Sequence, residues 1–176
     1  MVAQDAVSGI KNTFYKHDNA ADWTVYSQPF ALLEGEHTIS YYAEDNAGNT
    51  STPKTFSYKA DFTDPAGAIT APQGGEFFKT SFSMAVDADD ALSEVARVDF
   101  LFAGDLFASD DTAPYAKGCD ISSYTDGERE VQARVWDHAG RSSLTSKVAI
   151  KKDTKAPTVE ITEPVGEEWI RGMVSV

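Results

Sequence analysis

The stretch that decides the fold is His37–Asn49, HTISYYAEDNAGN, together with its echo 92 residues later, Arg129–Arg141, REVQARVWDHAGR. In the first, Ile39, Tyr41 and Ala43 fall on one side of an extended chain, with Thr38, Ser40, Tyr42 and Glu44 on the other. In the second, Val131, Ala133 and Val135 oppose Glu130, Gln132, Arg134 and Trp136. Alternation with period two marks a half-buried strand, because successive side chains point to opposite faces. Both runs end in the frame Asp-x-Ala-Gly: Asp45, Ala47 and Gly48, then Asp137, Ala139 and Gly140. The frame is rich in oxygen ligands, yet turn chemistry accounts for it. Asn46 and Ala47 suit a type I turn, Gly48 the left-handed position after it, and Asp45 can accept from the N–H groups just ahead. The segment Thr55–Tyr58 is then expected to run back beside Ile39–Glu44.

The echo extends well beyond these runs. Gly35–Met84 laid on Gly127–Val176 without a gap gives 15 identities in 50 positions, among them Asp61/Asp153, Pro65/Pro157, Ile69/Ile161 and Pro72/Pro164. Before this block the offset drops to 85, so that DAVSGI (Asp5–Ile10) faces DALSEV (Asp90–Val95) and Pro29-Phe30 faces Pro114-Tyr115. The second copy therefore carries a seven-residue insertion between Tyr115 and Gly127. Further alternating runs lie at Phe82, Met84 and Val86, at Val98, Phe100 and Phe102, and at Val148 and Ile150; no run has helical spacing over three turns. Short strands with turn signals every 8–12 residues indicate an all-β sandwich.

Composition narrows the function. A net charge of −13 opposes binding to a polyanion such as nucleic acid. No apolar run approaches the ~20 residues of a membrane helix, so membrane insertion is not expected. The lone Cys119 staples nothing, and none of His17, His37 and His138 forms a recognisable frame with it. No triad, phosphate loop, zinc spacing or dinucleotide fingerprint appears, so the reading is that the chain is not an enzyme.

The frames D-x-x-S-G-[IV] (Asp5–Ile10), P-[FY] (Pro29-Phe30), a Gly before an alternating strand (Gly35), D-x-A-G-N (Asp45–Asn49) and D-x-x-x-P (Asp61–Pro65) together resemble the bacterial immunoglobulin-like repeats of large secreted and cell-surface proteins. The second copy departs from them at Glu94 and Arg141. The resemblance implies tandem immunoglobulin-like sandwiches joined by short Pro-containing linkers. The expected division is 1–60, a repeat without its first strands; 61–153, a complete repeat; and 154–176, the first strands of a third. It also implies a secreted or cell-surface setting and a spacer role beside neighbouring domains of one parent. The alternative is a ligand-binding module, an adhesin or a carbohydrate-recognition appendage.

Three kinds of contact are expected. Asp61, Asp64, Asp87, Asp89, Asp90 and Asp137 should gather at the pole where the chain enters the complete repeat; calcium, which takes 6–8 oxygens, is the cofactor such a cluster would hold. Trp23, Tyr26, Tyr42, Trp136 and Trp169 are candidates for stacking on a glycan, with Tyr42 and Trp136 pointing outward and Trp23 expected in a core with Tyr26 and Phe30. Finally, the first repeat should expose an apolar face. The last segment, with Val159, Ile161, Trp169, Ile170, Met173 and Val174, supplies the strands to cover it, so head-to-tail self-association by strand exchange is expected.

Overall fold

The computed structural model describes residues 2–160, 169 and 171. Most of the last segment singled out above, including Ile161, Ile170, Met173 and Val174, therefore lies outside the described residues. Residues 10–60 carry β1 (Ile10–His17), β2 (Thr24–Val25), β3 (Gly35–Asp45) and β4 (Lys54–Ala60). They form one antiparallel sheet in the order β2-β1-β3-β4.

Next come β5 (Ala66–Ala71), β6 (Phe77–Phe78), β7 (Ser81–Asp89), β8 (Val95–Phe102), β9 (Asp105–Asp110), β10 (Tyr115–Asp120), β11 (Gly127–Asp137), β12 (Ser142–Leu144) and β13 (Val148–Lys152). These make two layers. One is β10-β7-β5; the other is β6-β13-β11-β8-β9, with β12 also on β11. The order β9-β8-β11-β13 repeats β2-β1-β3-β4, and the registers agree: Val98 faces Val135 as Thr13 faces Ala43, and Phe100 faces Ala133 as Tyr15 faces Tyr41.

The period-two sets become the core. Met84, Val98, Phe100, Val131, Ala133 and Val135 have no exposed surface. Each large apolar side chain so buried contributes about 1.5–3 kcal/mol. Cys119 faces this core from β10, and burial, with the charge of Asp120, pushes its thiol up to about 11. That keeps it protonated and makes it a small core residue rather than a nucleophile.

The sheet of residues 10–60 has no second layer among the described residues, and its inner face is only partly covered. Ile39 and Tyr58 are buried, whereas Phe56, Leu32 and Leu33 are exposed. Residues 26–34 cross part of this face, with Phe30 stacked on Tyr15 at 4.4 Å, but form no strand. The physical reason is the missing partner: the corresponding β10 is held by a ladder to β7, from Tyr115–Val86 to Asp120–Ser81. Among the described residues, no strand takes the place of β7 beside residues 26–34.

Both Asp-x-Ala-Gly frames are turns. Asp45 Oδ1 accepts from the N–H of Ala47 and of Asn49, at 2.9 and 2.8 Å, and Gly48 has φ +89°. Asp137 Oδ1 accepts from Arg141 N–H at 2.8 Å, and Gly140 has φ +87°.

Candidate metal centre

The chain passes from the first sheet into the sandwich through Asp61–Pro65, and that passage is tied from both sides. Glu34 Oε1 accepts from Phe62 N–H at 3.2 Å and from the Thr63 hydroxyl at 2.6 Å. Arg141 donates through Nε and Nη2 to Asp64 Oδ1 at 2.8 and 2.7 Å. The Ser143 hydroxyl donates to Pro65 O.

Three carboxylates converge here, one from each of three segments. Asp61 comes from the passage, Asp90 from the turn after β7, and Asp137 from the end of β11. One oxygen from each lies within 4.8 Å of the others. Two oxygens bound to one calcium at about 2.4 Å are at most about 4.8 Å apart, so this spacing fits a single ion. Each carboxylate is aimed by its own backbone. Asp61 Oδ1 accepts from Thr63 N–H at 2.9 Å, Asp90 Oδ1 from Leu92 and Ser93 N–H at 3.1 and 2.8 Å, and Asp137 Oδ1 from Arg141 N–H. The second oxygen is left over at two of them. Asp137 is only 3% exposed, and its Oδ2, like that of Asp61, is buried with no hydrogen-bond partner. A buried anionic oxygen without a partner is costly, and like charges beside it raise the cost. A divalent cation would remove both penalties.

The other three acids of the expected set stand apart. Asp64 is engaged by Arg141. Asp87 and Asp89 lie on β7, opposite Ala68 and Ala66 of β5, on the face away from Met84 and Val86, and are exposed. Beside the three converging acids a cleft of about 510 Å³ opens between the two sheets' ends, lined by Glu36, Lys59, Ser93, Glu94 and His138.

The same turn geometry recurs at the two ends of the chain. Asp5 Oδ1 accepts from Val7, Ser8 and Gly9 N–H, as Asp90 does from Leu92 and Ser93. Asp153 Oδ1 accepts from Lys155 N–H at 2.9 Å, as Asp61 does from Thr63. Asp126 holds Thr154 where Glu34 holds Phe62 and Thr63. Among the described residues only Asp61, Asp90 and Asp137 converge.

The aromatic residues divide between the two faces of the first sheet. Tyr26 and Phe30 meet Tyr15 on the inner face. Trp23 instead meets Tyr42 edge-on at 4.7 Å, with Lys16 over its ring, on the outer face where Tyr42 also stacks on Phe14. Trp23 is thus not in a core with Tyr26 and Phe30. Trp23 and Tyr26 are three positions apart along extended chain, with Thr24 and Val25 between them, and an odd offset puts them on opposite faces. Trp136 does face outward, but its indole N–H donates to Asp99 Oδ2 at 2.7 Å and its ring lies under the Arg97 guanidinium at 4.5 Å.

Two stacked sheets, antiparallel except where β6 runs parallel to β13, a turn-rich pole and the registers above define an immunoglobulin-like β-sandwich. Residues 65–133 match the family described as bacterial Ig domain, in agreement with the resemblance carried by the sequence frames. Among solved structures, the chain is similar to the fibronectin(III)-like modules of Clostridium thermocellum CbhA, with TM-score 0.48 and 16% identity over 90% of this chain and 88% of that one. It is also similar to a tetra-tandem repeat in the extending region of a large adhesion protein (TM-score 0.40, 21% identity, 81% of this chain and 42% of that one). A third is the Bacteroides ovatus mixed-linkage glucan utilization locus SGBP-B in complex with a mixed-linkage heptasaccharide (TM-score 0.25, 13% identity, 82% and 36%). None of these likenesses assigns a ligand or an activity. No curated protein matches the chain.

Proposed function

We propose that this chain is a non-catalytic spacer segment of a multidomain bacterial extracellular protein, whose immunoglobulin-like modules are held in line by calcium at their joint. The division 1–60, 61–153 and 154–176 is part of this reading, with neighbouring modules of the same parent as its principal partners. One observation carries it: the buried, partnerless Asp137 Oδ2, set beside Asp61 and Asp90 where one module passes into the next. An ion there would tie the passage to two turns of the sandwich and so restrain the angle between modules. Calcium is preferred over magnesium because the donors are carboxylates on turns, which suit a flexible oxygen shell better than a strict octahedron.

The test is calorimetric titration of calcium into metal-free protein, for wild type and Asp137→Asn. Binding in the wild type that is lost in the variant supports the site; no heat and no change in melting temperature at millimolar calcium would remove the cation from the reading.

A glycan-binding role rests on the outer-face group Phe14, Trp23 and Tyr42 with Lys16 above it. Aromatic rings beside a polar group suit a sugar face. Trp23→Ala should abolish retention on a polysaccharide gel if that role holds, and a wild type that is not retained on any glucan or mannan gel counts against it.

A further inference from the structure

The inner face of the β1–β3–β4 sheet is an apolar surface with a groove of about 410 Å³, lined by Tyr26, Phe30, Leu32, Ile39, Tyr41 and Phe56. In the sandwich the corresponding face is covered by β5 and β7. How β5 fits there is set by one close approach. A Cβ added to Gly67 would stand 2.5 Å from Val135 Cγ2 and 3.5 Å from Thr145 Cγ2, so only glycine fits opposite that valine. The open sheet has Ala43 where the sandwich has Val135, at the same register position. The C-terminal segment has Val159 where β5 has Gly67, because the 92-residue offset that pairs Ile69 with Ile161 also pairs Gly67 with Val159. Bulk removed from one side of the contact has thus been added on the other.

A second exchange of size runs the opposite way. Phe82 and Met84 of β7 share the buried cluster with Ala133. The C-terminal segment has Val174 and Val176 in place of Phe82 and Met84, and the open sheet has Tyr41 in place of Ala133. Cores tolerate substitution when the total volume is kept, and fail when it is exceeded. Two independent swaps, each compensated across the interface, indicate that segment 158–176 is shaped for the open face of residues 10–60 and not for the face that β5 and β7 occupy. Val159 is 89% exposed, so within one molecule it is not seated on Ala43.

We infer that the open face of the β1–β3–β4 sheet is the docking surface for residues 158–176 of a second copy of this chain, with the partner's Val159 seated on Ala43. This rests on the reading that residues 10–60 are a module completed by neighbouring strands. Docking supplies the ladder that residues 26–34 lack, so they become a strand as β10 does against β7. The partner's Lys151–Asp153 then stand outside the new sandwich, leaving its own open face free, and the association is head-to-tail and non-closing.

Sedimentation velocity of the full 176-residue protein, in chelator throughout so that the cation site plays no part, tests this. The wild type should form concentration-dependent dimers and longer chains. Ala43→Val should weaken association about tenfold or more, as overpacking does. Val159→Gly in the same chain should restore it, because the pair then copies Gly67 and Val135. A wild type that stays monomeric at all concentrations overturns both the inference and the completion of the module by strands in trans. Association that ignores Ala43→Val and Val159→Gly overturns the inference alone and places the covering strands elsewhere.

Discussion

The His37 ring and the Asp18 carboxylate are joined at 2.8 Å, Nδ1 to Oδ2, while the other ring nitrogen, Nε2, lies 2.8 Å from Glu34 O. Both neighbours are acceptors. A neutral imidazole can donate to only one of them; the imidazolium donates to both. Hydrogen bonding to Asp18 first, then to Glu34 O, raises the His37 pKa, and Asp18 is correspondingly lowered, first by the Thr38 N–H and then by His37. The pair fastens the turn after β1 to the start of β3.

A raised histidine stabilises fully below its unfolded value, near 6.5, and its contribution is lost as pH rises through the folded value. A lowered aspartate stabilises above its unfolded value, near 3.8, and is lost as pH falls through the folded value. The melting temperature should therefore be higher at pH 5.5 than at pH 8 in wild type, with the difference reduced in His37→Asn. Scanning calorimetry across that range checks this. An identical slope in the variant would show that His37 is not the group responsible.

Asp137→Asn separates repulsion from cation binding. In chelator the variant should melt at the same temperature as wild type or above it, because a buried, unpaired negative oxygen has become neutral. In calcium the order should reverse. Asp87→Asn and Asp89→Asn, both on the exposed face of β7, should leave the calcium response unchanged. Thermal melts in the two conditions decide all three.

Gly67→Ala should cost about 1–3 kcal/mol in urea unfolding, the usual range for overpacking. Its Cβ would enter the space of Val135 Cγ2, 2.5 Å away. Adding Val135→Ala should recover part of the loss, since space is returned at the same contact. If the double variant is weaker than the sum of the two single ones, the close approach is not the cause.

At Gly48 and Gly140 the argument is different. Nothing lies within 4 Å of a Cβ built at either, so the only obstacle is φ, +89° and +87°. Valine at either position should destabilise by about 1–3 kcal/mol, while asparagine, which tolerates the left-handed region, should be milder. Equal losses for valine and asparagine would point to something other than backbone strain.

Much of this architecture is visible in the linear chain because strands write their burial into alternate residues. Val131, Ala133 and Val135 alternate with Gln132 and Arg134, and every member of the first set is fully buried. The same parity could have trimmed the candidate ligands. Phe82, Met84 and Val86 point inward, so Asp87 and Asp89 belong to the β7 strand and to solvent, and only Asp90 lies beyond its end. The removal of Asp64 by Arg141 was not legible, since it depends on two segments 77 residues apart meeting at the pole. Nor was the close packing of Gly67: glycine in a strand signals either a bulge or a tight approach, and only the facing sheet tells which. Trp23 was misplaced because clustering in sequence with Tyr26 and Phe30 suggested a shared core, whereas extended geometry splits them across the sheet.

The parallel contact between β6 and β13 bears on how the sandwich would carry load. It is short, with Phe77 beside Lys151 and Phe78 beside Lys152, and is extended by Gly75 N–H to Ala149 O and Asp153 N–H to Phe78 O. Tension applied through the two ends of residues 66–152 runs in opposite directions along these neighbouring segments. Their hydrogen bonds are then strained together in shear, where a hairpin pulled at its open end would unzip one bond at a time. Stretching single molecules between Pro65 and Asp153 should give a higher rupture force than stretching across the β8–β9 hairpin. That difference would make the direction of pull, more than the overall stability, the quantity that sets how long such a segment stays folded under strain.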